Sequence, residues 1–165
     1  MTALHPLSSV DADDVAYLYD RCVDYFLLQD GEPPTLADAQ ALFTDLPAGK
    51  EAHDQSVFGW TLRKRLRAII AILRDYPDDG VWYLGFMLID PRQRGHGVGR
   101  SLYRKVEQWA VAQGAVEVRL AVLEQNEAAT RFWHSLGFST FRRVGPDRFK
   151  ARDHHRTELR RFLDH

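Results

Sequence analysis

Apolar residues in the first fifty positions change from a strand-like run to helical spacing. Thr2–Leu7 has the length and composition of a short first strand. Apolar side chains at every third or fourth position then predict a helix that is capped by Ser9 or Asp11 and ends near Asp30. A second helix is predicted over Thr35–Leu46. The chain therefore begins with one strand that is followed by two helices.

The region from Ser56 to Leu73 holds two conflicting periodicities. Ser56–Leu62 is rich in β-branched and aromatic residues, and Ala68–Leu73 is an apolar run of strand length. The same region carries an apolar stripe at helical spacing, so a helix over residues 61–74 fits the periodicity as well. We favour two strands that are joined near Arg63–Arg65, a basic cluster that is typical of a solvated hairpin tip.

A β-α-β unit is predicted in the second half of the chain. Val81–Ile89 is almost continuously apolar, as expected of a central strand that is covered on both faces. Apolar residues at helical spacing then follow over residues 98–110, and Gly114 ends this helix. Val116–Val122 alternates as a strand, and this order of elements places the two strands parallel to each other.

The last third of the chain predicts one more helix and two strands. A helix begins at Asn126 and ends at Gly137. A strand is predicted over Phe138–Val144, and the turn-forming Gly145–Asp147 should reverse the chain there. A weak final strand is expected between residues 154 and 163.

Length and composition fit an ordinary globular domain. The chain has 165 residues, of which 45% are hydrophobic and 27% are charged, so we expect a single domain over residues 1–165. Cys22 is the only cysteine, which excludes an internal disulfide and a cysteine-based zinc site. No signal-peptide pattern and no run of about 18 apolar residues occurs, so we expect a cytoplasmic protein without a membrane partner.

Charge is distributed unevenly although the formal net charge is only −1. Residues 1–60 contain 11 acidic and 2 basic side chains, whereas residues 61–165 contain 12 acidic and 20 basic ones. Such polarity is typical of one wall that suits a cationic partner and another that suits an anionic partner. The alternative is a pair of unrelated solvated faces.

A glycine-rich loop lies between the predicted central strand and the helix that follows it. Residues 91–100 carry glycines at positions 95, 97 and 99. Glycines at a strand-to-helix turn leave backbone N–H groups unshielded, and the helix dipole adds positive potential at that end. The loop is therefore a candidate anion cradle, and the alternative is a tight connector that binds nothing.

Two motifs in this region resemble those of the GNAT family of N-acetyltransferases. Arg94–Gly99 resembles the family's Arg/Gln-x-x-Gly-x-Gly/Ala loop, and it follows a strand, Met87–Pro91, that the family also shows. Asn126–Phe138 is similar to the family's Asn-x-x-Ala-x-x-aromatic-aromatic-x-x-x-Gly-Phe segment at the same spacing. Together the motifs lie within residues 81–138, in the family's order and separated by a helix and a strand.

The resemblance implies an α/β fold with a central mixed, mostly antiparallel sheet of six to seven strands and about four flanking helices. It also implies that the loop holds the pyrophosphate of acetyl-CoA, and that pantetheine lies between a parallel pair of strands that splay apart. Asn126 would contact the pantetheine arm directly or through water. The cofactor-binding residues implied in this way are Leu88, Ile89, Arg94, Gly95, His96, Gly97, Val98, Gly99, Arg100, Asn126 and Phe132.

The reaction of this family is direct attack of an amine on the thioester. By resemblance, a backbone N–H near Ile89 would polarise the thioester carbonyl. A primary amine with a pKa near about 10 is mostly protonated at neutral pH, so a base or a water relay is expected. The candidate bases are Asp54, Asp75, Tyr76 and Tyr83. No metal is expected in this chemistry.

The sequence departs from the family pattern at the catalytic positions. Tyr83 and Gly85 stand where the family often has a glutamate or a histidine, so the family's base cannot be transferred to this chain. Trp133 stands where many relatives have a tyrosine, and an indole cannot supply a comparable acidic proton. Ser135 or a water could take that role, while His96 has the character of a solvated loop histidine.

Two other functions remain open at this point. A dinucleotide-binding fold shares the order of strand, glycine loop, helix and strand, but the loop lacks that fold's third glycine and a P-loop lysine. A non-catalytic module that binds acetyl-CoA as a sensor is compatible with the replaced tyrosine and the missing base. We expect acetyl-CoA as the partner, with a small-molecule or protein amine that could be cationic as acceptor, no nucleic acid, and a monomer or homodimer.

Overall fold

The computed structural model describes residues 3–164 and contains seven strands and five α-helices. The helices are α1 (Ala12–Arg21), α2 (Val23–Asp30), α3 (Leu36–Thr44), α4 (Val98–Ala112) and α5 (Glu127–Ser135). The strands are β1 (His5–Pro6), β2 (Gln55–Leu62), β3 (Arg65–Leu73), β4 (Val81–Ile89), β5 (Glu117–Leu123), β6 (Ser139–Phe149) and β7 (Arg152–Phe162). Three short 3-10 turns, Ser9–Asp11, Ala52–Asp54 and Pro91–Gln93, complete the elements.

The seven strands form one sheet in the order β1-β2-β3-β4-β5-β7-β6. Every neighbouring pair is antiparallel except β4 and β5, which α4 connects as a crossover between parallel strands. The predicted fold class is therefore confirmed, with five helices instead of about four.

The parallel strands β4 and β5 are paired over only part of their length. Their register runs from Val81 opposite Glu117 to Tyr83 opposite Arg119, and the ladder ends there. Residues 84–89 and 120–123 therefore have no partner across this gap, and the two strands diverge toward the glycine loop. This is the separation that the family resemblance implied.

Helices cover the sheet on both faces. One core packs α4 and α5 against the central strands, with Trp82, Leu102, Val106 and Leu120 among its most buried side chains. A second core packs α1, α2 and α3 against β3 and β4 on the other face. On this second face the candidate site lies between α2, α3 and the sheet and extends to β6 and β7.

The predicted order of a strand followed by helices at the N-terminus is confirmed, but the predicted boundaries were wrong. The single helix expected up to Asp30 is divided into α1 and α2 at Cys22, which leaves helical geometry at φ −103° and ψ 33°. The Cys22 side chain is fully buried and its thiol donates to the carbonyl of Ile89 at 3.4 Å, so it is fixed against β4. The first strand is limited to His5–Pro6, and Thr2 lies outside the described residues.

The ambiguous region proves to be a hairpin, as we favoured. The strands β2 and β3 pair from Gln55 opposite Leu73 to Leu62 opposite Arg65, so the helix over residues 61–74 does not form. Arg63 and Lys64 supply the two-residue turn, and both have positive φ angles, 52° and 65°. Positive φ at both positions is the geometry that the right-handed twist of a tight hairpin requires.

The C-terminal hairpin is longer than the sequence indicated. A turn was expected at Gly145–Asp147, but β6 continues through it to Phe149, and the chain reverses at Lys150 and Ala151. The register shifts between Val144 and Asp147, so the glycine and proline form a bulge. An edge strand tolerates proline at such a bulge because no neighbouring strand needs its missing N–H.

Candidate active site

The glycine loop is built by two glycines that adopt left-handed backbone angles. Gly95 and Gly97 have φ angles of 77° and 78°, and a Cβ atom at either position would meet no other group within 4 Å. Gly97 is the N-cap of α4, so the N–H groups of the first helical turn face the space above the loop. The loop thus has the open, positively polarised geometry of an anion cradle.

The third glycine has a different structural role from the one that the sequence suggested. Gly99 lies within α4 and is buried. A Cβ atom there would lie 3.0 Å from Cδ1 of Ile89 and 3.1 Å from Cζ of Phe132. Gly99 therefore lets α4 approach β4 and α5 closely, whereas the turn itself depends on Gly95 and Gly97.

A buried carboxylate anchors the start of the loop. The side chain of Asp90 is 0% exposed and accepts hydrogen bonds from Arg21, from Arg67 at 3.2 Å and from the backbone N–H of Arg92 at 2.9 Å. The hydrogen bond from Arg21 holds the pKa of Asp90 at about 2, well below its usual range. Asp90 thus fastens the loop to α1 and β3 as an ionised group.

Arg94 joins the loop to α2. Its Nε donates to the carbonyl of Ile89 at 3.0 Å, and its Nη1 contacts a carboxylate oxygen of Asp24 at 2.8 Å. This ion pair lowers the pKa of Asp24, chiefly through the hydrogen bond. Arg94 is therefore beside the cradle, and its predicted contact with pyrophosphate would be made next to, or in place of, its bond to Asp24.

A cavity of about 870 Å³ lies where β4 and β5 diverge, and we call it the donor cavity. It is lined by the facing parts of β4 and β5, by the loop, by the start of α4 and by α5. Of the predicted cofactor residues, the following line it: Leu88, Ile89, Arg94, Gly95, Gly97, Val98, Gly99, Arg100, Asn126 and Phe132. His96 does not line it and is exposed.

The α5 segment places one amide and two aromatic rings beside this cavity. Asn126 caps the helix, because its side-chain oxygen accepts the N–H of Ala129 at 3.1 Å. Trp133 lines the cavity but is only 6% exposed. Ser135 does not line it and instead donates to the carbonyl of Phe132 at 2.6 Å. Ser135 is thus a helix residue outside the cavity.

A second cavity of about 700 Å³, the acceptor cavity, lies between α2 and α3 on one side and the sheet on the other. The β6–β7 hairpin closes it at one end, and Tyr76 and Tyr83 are among its lining residues. Six residues line both cavities: Tyr25, Gln29, Gly85, Phe86, Phe149 and Arg156. The two cavities therefore meet, and a group in one can reach a group in the other.

Gly85 marks the point on β4 where the cavities meet. The register of β3 against β4 moves from Ala71 opposite Phe86 to Ile72 opposite Leu84, so Gly85 is the extra residue of a β-bulge. A Cβ atom at Gly85 would contact nothing within 4 Å. The absence of a side chain here keeps the passage between the cavities open.

The candidate bases separate into two groups. Tyr83 and Tyr76 are in the acceptor cavity with their ring centroids 5.7 Å apart. Burial raises the pKa of Tyr83 to about 12, with a further contribution from Glu158. A phenol with that pKa keeps its proton at neutral pH, so Tyr83 is suited to donate a hydrogen bond and not to act as a base.

Asp54 and Asp75, the two aspartates among the candidate bases, do not line either cavity. Asp54 accepts the backbone N–H of Glu51 at 2.9 Å in a 3-10 turn. Asp75 accepts the backbone N–H of Gly80 at 2.7 Å and closes the turn before β4. Both carboxylates therefore have structural roles in turns.

Sequence reasoning missed the carboxylates that do line the acceptor cavity. Asp30 and Glu158 are each 6% exposed there, and Glu158 is paired with Arg142 at 2.5 Å. Glu158 lies on β7, opposite Arg142 on β6 and Ala121 on β5. Its only sequence signal was an acidic residue among basic neighbours in a strand that we predicted as weak.

Within residues 3–164, no group of three or more histidine, cysteine, aspartate or glutamate side chains is placed to hold a metal ion. No helix in this part of the chain is long and apolar enough to cross a membrane.

Comparison with known proteins gives one family match. The sequence model of the family described as "Acetyltransferase (GNAT) family" matches residues 16–138. Among curated proteins, the bovine (Bos taurus) thialysine N-epsilon-acetyltransferase is 36% identical over 55 residues, which is 33% of this chain and 32% of that enzyme. The matched part thus spans about a third of the length of this relative.

Solved structures match over nearly the whole chain. An acetyltransferase from Thermus thermophilus has a TM-score of 0.79 and 23% identity, with 98% of this chain and 96% of that chain covered. An N-acetyltransferase from Staphylococcus aureus has a TM-score of 0.75 and 14% identity, with 98% of both chains covered. At these identities the likeness is one of fold.

Proposed function

The chain belongs to the acetyltransferase (GNAT) family, and on that premise we propose that it transfers an acetyl group from acetyl-CoA to a primary amine. The observation that carries this proposal is the meeting of two cavities at Gly85. One cavity begins at an anion cradle, and the other is lined by buried carboxylates. That arrangement suits a donor with a phosphate at one end and an acceptor that arrives as a cation.

The donor cavity fits acetyl-CoA on its own geometry. The cradle is open above Gly95 and Gly97. Across the gap between β4 and β5, the backbone groups of residues 84–89 and 120–123 have no strand partner. We propose that the loop N–H groups hold the pyrophosphate and that the unpaired strand edges, Ile89 included, bond the pantetheine arm. Asn126 and Phe132 would border the arm from α5, and the bound cofactor would supply the activated acetyl thioester.

Residues of the chain then provide the conditions for direct attack. Backbone N–H groups on the free edge of β4, near Ile89, would polarise the thioester carbonyl. Tyr83, which stays protonated, would donate a hydrogen bond within the acceptor cavity, and Tyr76 would hold its ring in place. The carboxylates of Asp30 and Glu158 would attract the amine and receive its proton through water.

The acceptor is proposed as an amine because of the charge around the acceptor cavity. Four carboxylates line it, namely Asp30, Asp38, Asp45 and Glu158. The bovine relative is named for acetylation of an epsilon nitrogen, which supports a nitrogen acceptor. Asp38 and Glu158 already pair with Lys150 and Arg142, so an ammonium group on the acceptor would chiefly balance Asp30 before the proton is lost.

A sensor that binds acetyl-CoA without turnover is the second candidate, and Trp133 is the observation that favours it. Its indole lines the donor cavity where many family members have a tyrosine as proton donor. The thiol of coenzyme A has a pKa of about 8.5, which is low enough for it to leave as thiolate without that donor. We therefore favour the enzyme over the sensor.

The two candidates are distinguished by release of free coenzyme A. We expect the purified chain to release thiol from acetyl-CoA in the presence of cationic primary amines, at a rate that exceeds release without amine. Mass spectrometry of the amine should show one added acetyl group for each thiol released. Acetyl-CoA binding, measured by calorimetry, with no amine-dependent release across cationic, zwitterionic and hydrophobic amines would contradict the enzyme and support the sensor.

A further inference from the structure

Arg156 lies at the junction of the two cavities with an unused hydrogen-bond donor. It is on β7, between Leu123 of β5 and Val144 of β6, and it lines both cavities. Its Nη2 donates to Asp147 at 3.0 Å, but its Nε is buried and has no hydrogen-bond partner among the described residues. A buried N–H without an acceptor is rare in proteins, so this position is suited to an oxygen atom of a ligand.

The other two cations of the acceptor cavity each form a salt bridge with a carboxylate that also lines it. Lys150 pairs with Asp38 at 2.6 Å, and Arg142 pairs with Glu158 at 2.5 Å. All four of these side chains line the cavity. The carboxylate partner of Arg156, Asp147, is not among the lining residues. Within the described chain, Arg156 is therefore the cation of this cavity whose charge is not balanced by a carboxylate inside it.

An unbalanced negative charge is on the opposite wall. Asp30 belongs to α2, is almost fully buried, and accepts a hydrogen bond from Gln29 at 3.2 Å. Within the described chain, no basic side chain lies within salt-bridge distance of it. Burial raises the pKa of Tyr25, which lies at the junction, and Asp30 adds to that rise while Arg156 opposes it. Among the residues that the structure describes, the junction thus has a cation, Arg156, whose salt-bridge partner lies outside both cavities, and the adjoining acceptor cavity has an anion, Asp30, that forms no salt bridge.

We propose that the acceptor is a small zwitterion of the amino-acid type, whose carboxylate binds Arg156 while its amine is attracted by Asp30 and Glu158. This inference rests on the proposed function and narrows its acceptor. A purely cationic amine would leave the buried Nε–H of Arg156 without an acceptor, whereas a carboxylate oxygen would accept it in a charge-assisted hydrogen bond. Arg156 and Glu158 are two positions apart on one strand, which places both side chains on the same face about 7 Å apart along it.

The test compares matched amines that differ only at the carboxylate. Amino acids and their carboxamides are assayed with wild type, Arg156→Gln and Arg156→Lys. We expect Arg156→Gln to raise the KM for the amino acids by about 10-fold to 100-fold, the range for loss of a charge-assisted hydrogen bond. The KM for the carboxamides should change little, and Arg156→Lys should restore part of the loss.

The control is Arg143→Gln. Arg143 is on the same hairpin and is paired with Glu124, but it lines neither cavity, so its loss removes one positive charge without changing the junction. We expect wild-type KM values from it. Acetyl-CoA affinity and melting temperature, measured for each variant, separate a local effect from a damaged fold.

Equal effects of Arg156→Gln on amino acids and carboxamides would overturn the inference. So would carboxamides that are better acceptors than the amino acids for the wild type. Direct calorimetric titration of the amines into protein that is saturated with coenzyme A separates this inference from the proposed function. If no amine releases thiol, the proposed function fails, but amino-acid binding that depends on Arg156 would still support a zwitterion site. If amines are acetylated without regard to the carboxylate, only the inference fails.

Discussion

Trp133 shows how one side chain can belong to the core and to the site at once. Its ring lies within 5.5 Å of the ring of Tyr103, 4.9 Å of Phe132 and 5.3 Å of Phe138, measured between centroids. These contacts bury nearly all of the indole, and what remains exposed faces the donor cavity. The residue therefore forms a wall of that cavity and has no acidic proton to contribute.

Replacement of Trp133 by tyrosine tests two possible roles of position 133 in turnover. One is to supply a ring that lines the donor cavity, and the other is to donate a proton to the leaving group. We expect Trp133→Tyr to leave turnover equal to or above that of wild type, because a phenol adds a donor. The lost ring volume should lower the free energy of unfolding by about 1 to 2 kcal/mol. Initial rates of thiol release and urea denaturation measure the two effects.

Trp109→Tyr is the matched control for this variant. Trp109 packs between Phe58 and Trp82 in the same core but lines neither cavity. Its replacement should cost similar stability and leave the rate unchanged. A large fall in turnover with Trp133→Tyr alone would mean that the indole itself takes part in the reaction.

At the scale of elements, the glycine loop and the free edges of β4 and β5 form one unit. The loop turns because Gly95 and Gly97 tolerate left-handed angles, and α4 can pack closely because Gly99 has no side chain. The strands diverge beyond Tyr83 and Arg119, which leaves room between them for an extended ligand arm. An open anion cradle at one end and unpaired backbone groups along the cleft follow from the same segment.

A bulky residue at Gly97 tests this unit. We expect Gly97→Trp to weaken acetyl-CoA binding by about 100-fold or more, because the indole would fill the cradle and displace several charge-assisted hydrogen bonds. The left-handed angle also costs a non-glycine residue about 1 to 2 kcal/mol. Gly49→Trp carries the same backbone cost, since Gly49 has a φ of 85°, an open Cβ position and no place in either cavity.

Comparison of these two variants separates the effect of backbone strain on stability from the effect of filling the anion cradle on acetyl-CoA binding. Both should unfold at similarly reduced temperatures, while only Gly97→Trp should lose binding in a calorimetric titration. Unchanged affinity in Gly97→Trp would remove the basis for placing the pyrophosphate at this loop.

At the scale of the whole molecule, the acidic N-terminal part of the sequence and its basic C-terminal part meet at one cavity. The acidic N-terminal helices and the basic C-terminal hairpin do not form two separate surfaces there. Lys150 of the hairpin turn pairs with Asp38 of α3, and the N–H of Ala151 donates to the carbonyl of Asp30 at 3.0 Å. His154 lies 2.8 Å from the carbonyl of Gln29. The two ends of the chain therefore close the acceptor cavity between them.

The buried Asp90 cluster gives the fold a specific response to acid. The pKa of Asp90 in the folded chain is about 2, below the usual value of about 3.9 for an unfolded chain. A lowered folded pKa stabilises the protein above the unfolded pKa, and the stability is lost as pH falls toward the folded pKa. We expect this group to contribute roughly 1 to 2 kcal/mol at pH 6 that is lost between about pH 4 and pH 2.

Urea denaturation at pH 6, 4 and 2.5 measures this loss. Arg21→Gln removes the hydrogen bond that contributes most to the lowered pKa, so the pKa of Asp90 should rise toward its usual range. The variant should be less stable at pH 6 and lose less stability on acidification. Equal slopes of stability against pH in both proteins would show that Asp90 does not carry the effect.

The sequence by itself determined the family, the fold class and the glycine loop, and ten of the eleven cofactor residues that it predicted line the donor cavity. Those features depend on local patterns: glycines at a strand-to-helix turn, an apolar strand before them and a second motif at a set spacing. The predicted boundaries of helices and strands were wrong where a residue contacts a part of the chain that is distant in sequence. The helix breaks at Cys22, whose thiol donates to Ile89 of a distant strand, and Gly145 lies in a bulge of β6 opposite β7.

Only the tertiary structure decided the acceptor side. Asp30, Arg156 and Glu158 come from α2 and β7, more than a hundred positions apart along the chain, and no local pattern links them. The sheet brings them together because β7 inserts between β5 and β6 and the hairpin tip reaches α2. A cofactor that is held by one continuous segment can be recognised from sequence, whereas an acceptor that is held by distant elements requires the fold.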